Sequence, residues 1–143
     1  MSNIVNIGIG KVATFYSDIG STYTANTLSL TNLRQITDTD PLYTVSPSPA
    51  SLTTITVVRS GLYEVTLGCG LGDMANGINL RATFSSHPNF DLSTNRGNTA
   101  IVPIPKTMDL VAGEVISIYT NVNLGFTLGG FIFNTLFSLK RIG

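Results

Sequence analysis

Little in this sequence is charged, and neither sign of charge predominates. Only 11% of the 143 residues are charged, and eight lysines and arginines balance eight aspartates and glutamates. A typical soluble domain has about 25% charged residues. Proteins that hold nucleic acid or an anionic membrane by charge need a basic excess, so we expect no nucleic-acid partner. Because few charges coat a chain that is 43% hydrophobic, we expect part of the surface to be buried against another subunit.

Long apolar runs and paired cysteines are also missing. No run reaches the about 18 residues of a membrane-spanning helix, so we expect no membrane insertion. Cys69 is the only cysteine, which excludes an intrachain disulfide. Residues 1–10 lack the basic start and apolar stretch of a signal peptide, and the sequence has no Asn-x-Ser/Thr sequon. We therefore expect synthesis in a cytoplasm.

The groups that carry enzymatic chemistry are equally scarce. His87 is the only histidine and falls in a predicted loop, and no Gly-x-Ser-x-Gly motif occurs. The glycine-rich segment 68–73 lacks the Lys-Ser/Thr ending of a phosphate loop. Asp38 and Asp40 lie two residues apart, but no third carboxylate is near them in sequence for calcium. The sequence therefore predicts no enzyme, no cofactor and no metal.

What the sequence does contain is a rhythm of short β-strands. Valine, isoleucine, threonine, tyrosine and phenylalanine are frequent, and glycine and proline interrupt them at short intervals, which is typical of strands and turns. Residues 77–84 and 62–67 alternate apolar with polar side chains, which indicates half-buried strands. We predict one all-β domain over residues 1–143, an antiparallel β-sandwich or barrel, with residues 1–16 as an N-terminal strand or tether.

Two prolines mark one strand as peripheral. Pro103 and Pro105 share one side of a predicted strand, and proline cannot donate a hydrogen bond to a neighbouring strand. We therefore expect this segment at the edge of a sheet or at the end of a strand.

Three short motifs give the chain a family resemblance. They are Ser60-Gly61-Leu62-Tyr63, Leu110-x-x-Gly113-Glu114-x-x-x-Ile118 and Leu136-Phe137-Ser138-Leu139. In order and rough spacing they resemble motifs of the trimeric jelly roll of the tumour necrosis factor and complement globular-head superfamily. Glu114 stands where that pattern has aspartate, and Ser138 where it has glycine.

The resemblance implies a compact homotrimer with one sheet of each subunit near a threefold axis. It also implies that the strands around residues 110–119 and 135–142 both belong to this inner sheet. Alternation and resemblance together predict the sandwich core, Tyr63, Val65, Leu67, Ile78, Leu80, Phe84 and Phe137. The candidate trimer-interface residues are Glu64, Thr66, Ser117, Tyr119, Leu136 and Ser138, although Ser117 and Tyr119 could lie on either side of their own strand.

The leading functional hypothesis is a trimeric jelly-roll head of a virion spike, a head fibre or a bacterial surface assembly. Such a protein would contact itself, other virion or surface proteins, and a host-surface glycan or protein. The predicted loops at 34–50 and 85–98 hold the candidate receptor contacts, Asp38, Asp40, His87, Asn89, Asn95 and Arg96. The alternatives are a single-jelly-roll capsid or vertex protein that forms rings or lattices, and a secreted cytokine-like ligand.

Overall fold

The structure is a computed structural model that describes residues 2–18, 29–30, 33–36, 54–69, 79–93, 101–120, 126–128 and 131–143. Ile78, Asp38, Asp40, Asn95 and Arg96 lie outside these ranges. No helix within the described ranges is both long and apolar enough to cross a membrane.

The regular secondary structure of the described residues is β-strand, with short turns and loops between the strands. In chain order these are β1 (Ser2–Val5), β2 (Val12–Asp18), β3 (Ser29–Leu30), β4 (Arg34–Ile36), β5 (Thr54–Val57), β6 (Gly61–Cys69), β7 (Asn79–Phe84), β8 (Phe90–Ser93), β9 (Ile101–Leu110), β10 (Val115–Thr120), β11 (Phe126–Leu128) and β12 (Phe131–Arg141).

The strands pair into two sheets. The first sheet has the order β1-β5-β10-β7-β8, with β3 also paired to β10, and the second has the order β4-β2-β12-β6-β9, with β11 also paired to β12. Among the described strands only β1 and β5 run parallel; the other pairs are antiparallel. The predicted all-β, antiparallel two-sheet sandwich is confirmed.

The core lies between the sheets and is built by strand alternation. In β7, successive residues alternate between half-buried and buried side chains, because neighbouring side chains point to opposite faces of a sheet. The Phe15 and Phe137 rings, from paired strands β2 and β12, meet with their centroids 6.4 Å apart. Of the predicted core residues within the described ranges, all are buried: Tyr63, Val65, Leu67, Leu80, Phe84 and Phe137.

The proline-bearing strand is an edge strand, as predicted. β9 is the last strand of the second sheet and pairs with β6. Pro105 is exposed and lies opposite Thr66 in the register. An edge position tolerates proline because one side of an edge strand needs no hydrogen bonds to a neighbour.

The N-terminal strand expected over 1–16 is instead two strands in different sheets. β1 pairs with β5 in the first sheet, whereas β2 pairs with β12 in the second. The chain reverses between them at Gly10, which has a φ of 82°, and Lys11 N donates to Gly8 O at 3.1 Å. This positive φ lies in the left-handed region, which glycine adopts without steric cost. The turn at Gly10 therefore separates the two strands.

The two C-terminal strands also lie in different sheets, which corrects the expectation that both belong to the inner sheet. β12 is central in the second sheet, and β10 is central in the first. The Leu-x-x-Gly-Glu turn between β9 and β10 crosses from one sheet to the other. Gly113 N donates to Val57 O at 2.7 Å, and Val57 N donates to Glu114 O at 2.9 Å, so the turn is fixed against β5 of the first sheet.

The tyrosine of the Gly-x-Tyr motif is a buried residue with a satisfied hydroxyl. Tyr63 is 0% exposed, and its hydroxyl donates to Arg59 O at 2.8 Å. Burial raises the pKa of Tyr63, although the nearby charges of Arg141 and Arg59 partly oppose the rise. The motif therefore anchors the 58–60 turn to the start of β6.

The glycine of the same motif allows the C-terminal backbone to approach. A Cβ added at Gly61 would lie 2.5 Å from Gly143 O. This closeness follows from two backbone bonds beside it, from Leu62 N to Gly143 O at 3.2 Å and from Ile142 N to Leu62 O at 2.8 Å. Only glycine fits between β6 and the residues that follow β12 without displacing them.

We expect Gly61→Ala to lower the free energy of unfolding by about 1–3 kcal/mol, because the added methyl forces the backbone apart. Chemical denaturation measures the loss. Gly8→Ala is the matched control, since its added Cβ would be 4.0 Å from the nearest atom, Lys11 Cγ. Equal stability of the two variants would contradict the close approach at Gly61.

Candidate interaction faces

The outward side of the second sheet is the first candidate surface, and we call it the assembly face. Its central row runs across four neighbouring strands as Thr14, Ser138, Thr66 and Pro105. The first three are half-buried and Pro105 is exposed. These are small, uncharged side chains on a regular sheet, and such a surface lets a second protein surface approach closely.

The next row of the assembly face carries a pair of opposite charges. Lys140 lies directly opposite Glu64 in the β12–β6 register, with Val12 and Thr107 on the outer strands of the row. Opposite charges that face each other across paired strands stabilise the pairing modestly, by about 0.2–1 kcal/mol. The face therefore has no net charge in this row.

Leu136 also belongs to the outward side of β12, but it is already buried within one chain. It lies opposite Tyr16 of β2, and the two side chains are 9% and 2% exposed. A polar substitution of Leu136 would therefore disturb the fold of the single chain as well as any subunit contact. Ser138, which is half-buried on the same face, is the better probe of assembly.

The candidate trimer-interface residues divide between two surfaces. Glu64, Thr66, Leu136 and Ser138 lie on the second sheet, whereas Ser117 and Tyr119 lie on β10 of the first. Both residues of β10 are half-buried between inward-facing neighbours, so they point away from the core on the opposite side of the sandwich. One flat interface cannot contain all six residues.

The outward side of the first sheet has a charged row. Tyr119, Arg81 and Asp91 follow one another across β10, β7 and β8. Arg81 Nε donates to Asp91 Oδ1 at 2.6 Å, and both side chains are well exposed. This hydrogen bond, with the charge of Asp91, raises the pKa of Arg81. An exposed ion pair contributes little stability, so burying it against another subunit would not be favourable.

The second candidate region lies at one end of the sandwich, which we call the basal end. It consists of residues 6–11, 58–60, 85–89, 111–114 and 142–143, where β1, β5, β7, β9 and β12 end and β2, β6, β8 and β10 begin. Of the predicted receptor contacts, His87 and Asn89 belong to this end. Asn89 is exposed, and the side chain of His87 is 23% exposed.

His87 is bound to the protein itself, through a buried carboxylate. Its Nδ1 lies against Oε1 of Glu114, whose side chain is 0% exposed. Ser85 Oγ donates to Glu114 Oε2 at 2.8 Å. Because an ionised carboxylate only accepts hydrogen bonds, the proton of the His87–Glu114 bond is on Nδ1.

The loop and the turn are joined by backbone bonds as well. Ser85 N donates to Val115 O at 3.0 Å, and Val115 N donates to Ser85 Oγ at 2.9 Å. The His87 ring also lies edge-on to Phe84, with the ring centroids 6.4 Å apart. Thus the 85–89 loop is fixed at its start by β10, and His87 is fixed through Glu114.

The acidity of Glu114 is set by opposing influences. Burial is the largest single influence and by itself raises the pKa of Glu114. Hydrogen bonds from His87 and Ser85, with the influence of Ser86 and the charge of His87, together outweigh it, so the pKa lies below its usual value. The carboxylate is therefore ionised at neutral pH although its side chain is buried.

The buried role of Glu114 was not predicted from the sequence, where this residue was only part of a turn motif. The signal was present in the strand parity, because Glu114 has the same parity as Ile116 and Ile118, which are both 0% exposed. A glutamate on the inward side of a strand requires hydrogen-bonding partners. His87 and Ser85 of the neighbouring 85–89 loop supply them.

Within the part of the chain that the structure describes, no group of three or more His, Cys, Asp or Glu side chains could hold a metal ion.

Comparisons with known proteins identify the fold. No family model matches the sequence, and no curated protein matches it. Among solved structures, the globular domain of a zebrafish complement 1qA protein is similar, with a TM-score of 0.56 and 14% sequence identity over 93% of this chain and 98% of that domain.

Two further solved structures are more distant. A Podospora anserina GH26-CBM35 β-(1,4)-mannanase has a TM-score of 0.41 at 10% identity, with 92% of this chain and 28% of that chain covered. A ruminal GH26 endo-β-1,4-mannanase has a TM-score of 0.37 at 13% identity, with 87% and 22% covered. With the strand order described above, the similarity to the complement domain shows that this chain has a jelly-roll fold of the complement globular-domain kind.

Proposed function

We propose that the protein is a non-enzymatic recognition module that works as a homotrimer in a virion spike, a head fibre or a bacterial surface assembly. The observation that carries the proposal is the assembly face, a sheet surface whose central row, Thr14, Ser138, Thr66 and Pro105, is small and uncharged. A neighbouring subunit can cover such a row without leaving a charge buried and unpaired.

The contrast between the two outward surfaces supports this choice of face. Burying the first sheet would dehydrate the exposed Arg81–Asp91 pair. The free energy needed to dehydrate the two charges exceeds the small stabilisation that an exposed ion pair contributes. On the assembly face, Lys140 and Glu64 oppose each other at one side of the uncharged row. In a trimer built on this face, the first sheet stays in water.

Recognition by such a trimer would use side chains away from the assembly face. At the basal end, Asn89 is exposed and could hydrogen-bond a glycan or protein on a host surface. Loops that rest on a rigid sandwich commonly carry binding functions. The low charge agrees with a chain that buries part of its surface in an assembly, and the single cysteine agrees with synthesis in a reducing cytoplasm.

The test of the proposal is the native mass. A single species of about 46 kDa, three times the 15.2 kDa chain, is expected from sedimentation or native mass spectrometry over a wide range of protein concentration. A pentamer or an extended lattice would favour the capsid alternative instead. A monomer at all concentrations would overturn the proposal, and a tightly bound transition metal would overturn its non-enzymatic part.

A further inference from the structure

The Glu114 carboxylate is bound by two residues of one loop. Ser85 Oγ and His87 Nδ1 donate to its two oxygens. Beyond Ser85, the hydrogen bonds of the 85–89 loop to the rest of the described chain run through this carboxylate. We infer that Glu114 is an acid-released latch, which holds the 85–89 loop against the 111–115 turn when ionised and frees it when protonated.

The chemistry of the carboxyl group explains the release. An ionised carboxylate offers lone pairs on both oxygens, so it can accept from both donors. A protonated carboxyl group has a hydrogen of its own, which faces one of these donors, and it has lost the charge that strengthens the other bond. Protonation therefore removes one of the bonds and weakens the other.

The direction of the pH effect follows from the pKa of Glu114. This pKa is lower in the folded protein than in an unfolded chain, so the latch stabilises the closed loop at pH values above the unfolded pKa. That contribution is lost as the pH falls through the folded pKa. The loop is accordingly closed at neutral pH and opens in acid.

The titratable neighbours of Glu114 are few. Among the described residues His87, on the loop, is the one titratable side chain that acts on its pKa. The 58–60 segment beside the turn contributes Arg59, which is exposed and does not affect the pKa of Glu114. Residues 111–113 of the turn itself contain no titratable side chain.

The experiment follows the backbone amide NMR signals of residues 85–89 in the full chain from about pH 7 to about pH 3. In the unaltered protein we expect a local transition in acid, with the amide signals of the core strands unchanged. Glu114→Gln cannot ionise, so its spectrum should lack any transition below about pH 5, where carboxyl groups titrate, and should already show the open-loop signals at neutral pH. Glu64→Gln is the matched control, because it replaces the other glutamate of the chain, which lies on the assembly face.

Three results would overturn the latch. They are loop signals that stay constant through the acid range, loop signals that change only when the core unfolds, and an unaltered transition in Glu114→Gln. Loss of the transition in Glu64→Gln would show that Glu64, and not Glu114, causes it, and would also overturn the inference. Because the readout is local to residues 85–89, it does not depend on whether the protein is a trimer.

Discussion

Replacing Ser138 by aspartate is expected to convert the proposed trimer into folded monomers. Ser138 lies at the centre of the assembly face, between Thr14 and Thr66 on the neighbouring strands. An aspartate there would bury one unpaired charge per subunit, and three such charges would repel one another around a threefold axis. An uncompensated charge in an interface costs about 3–5 kcal/mol, which raises the dissociation constant at least about 100-fold. Sedimentation equilibrium measures this change.

The first sheet offers a closely matched control. Ser117 is also a half-buried serine on a central strand, but it points outward from the opposite side of the sandwich. Ser117→Asp should leave the mass unchanged, and both variants should retain β-sheet circular dichroism. If Ser117→Asp dissociates the trimer and Ser138→Asp does not, the first sheet is the assembly face. If neither does, subunits meet elsewhere.

Replacing Phe137 by alanine, one residue earlier, is expected to destabilise the fold rather than the assembly. Phe137 is 0% exposed and packs against Phe15 across the β12–β2 pair. Loss of a buried phenylalanine ring leaves a cavity and costs about 3–5 kcal/mol. For a domain of this size that corresponds to a fall in Tm of about 10–15 °C.

The effect of Phe137→Ala on Tm is best measured in the Ser138→Asp background, where we expect that subunit association no longer adds to the apparent stability. Calorimetry or thermal circular dichroism gives the Tm. Val12→Ala is the control, because it also truncates an apolar side chain of the second sheet but one that is 53% exposed, and it should change stability by less than about 0.5 kcal/mol. Similar losses in the two variants would show that Phe137 is not a core residue.

The periodic parts of the fold could be predicted from the sequence because they depend on local rules. Alternation in β6 and β7 identified Tyr63, Val65 and Leu80 as inward-facing side chains, and all three are buried. Proline chemistry identified β9 as an edge strand. A period of two residues and a missing amide hydrogen are properties of the chain itself, so no tertiary information was needed.

The sheet to which each strand belongs could not be predicted in the same way. β10 and β12 have similar patterns, but the turn bound to Val57 carries β10 into the first sheet. Strand alternation distinguishes the two sides of one strand and carries no information about its partners. For this reason Ser117 and Tyr119 were grouped with residues on the far side of the sandwich.

Composition and periodicity thus determined that this chain is an all-β sandwich of low charge with one alternating core. The tertiary structure decided which outward residues share a surface, and it brought Glu114 to the only histidine, 27 residues earlier in the chain. Surfaces and buried polar clusters are made of residues that are distant in sequence, so they exist only once strand pairing has brought those residues together.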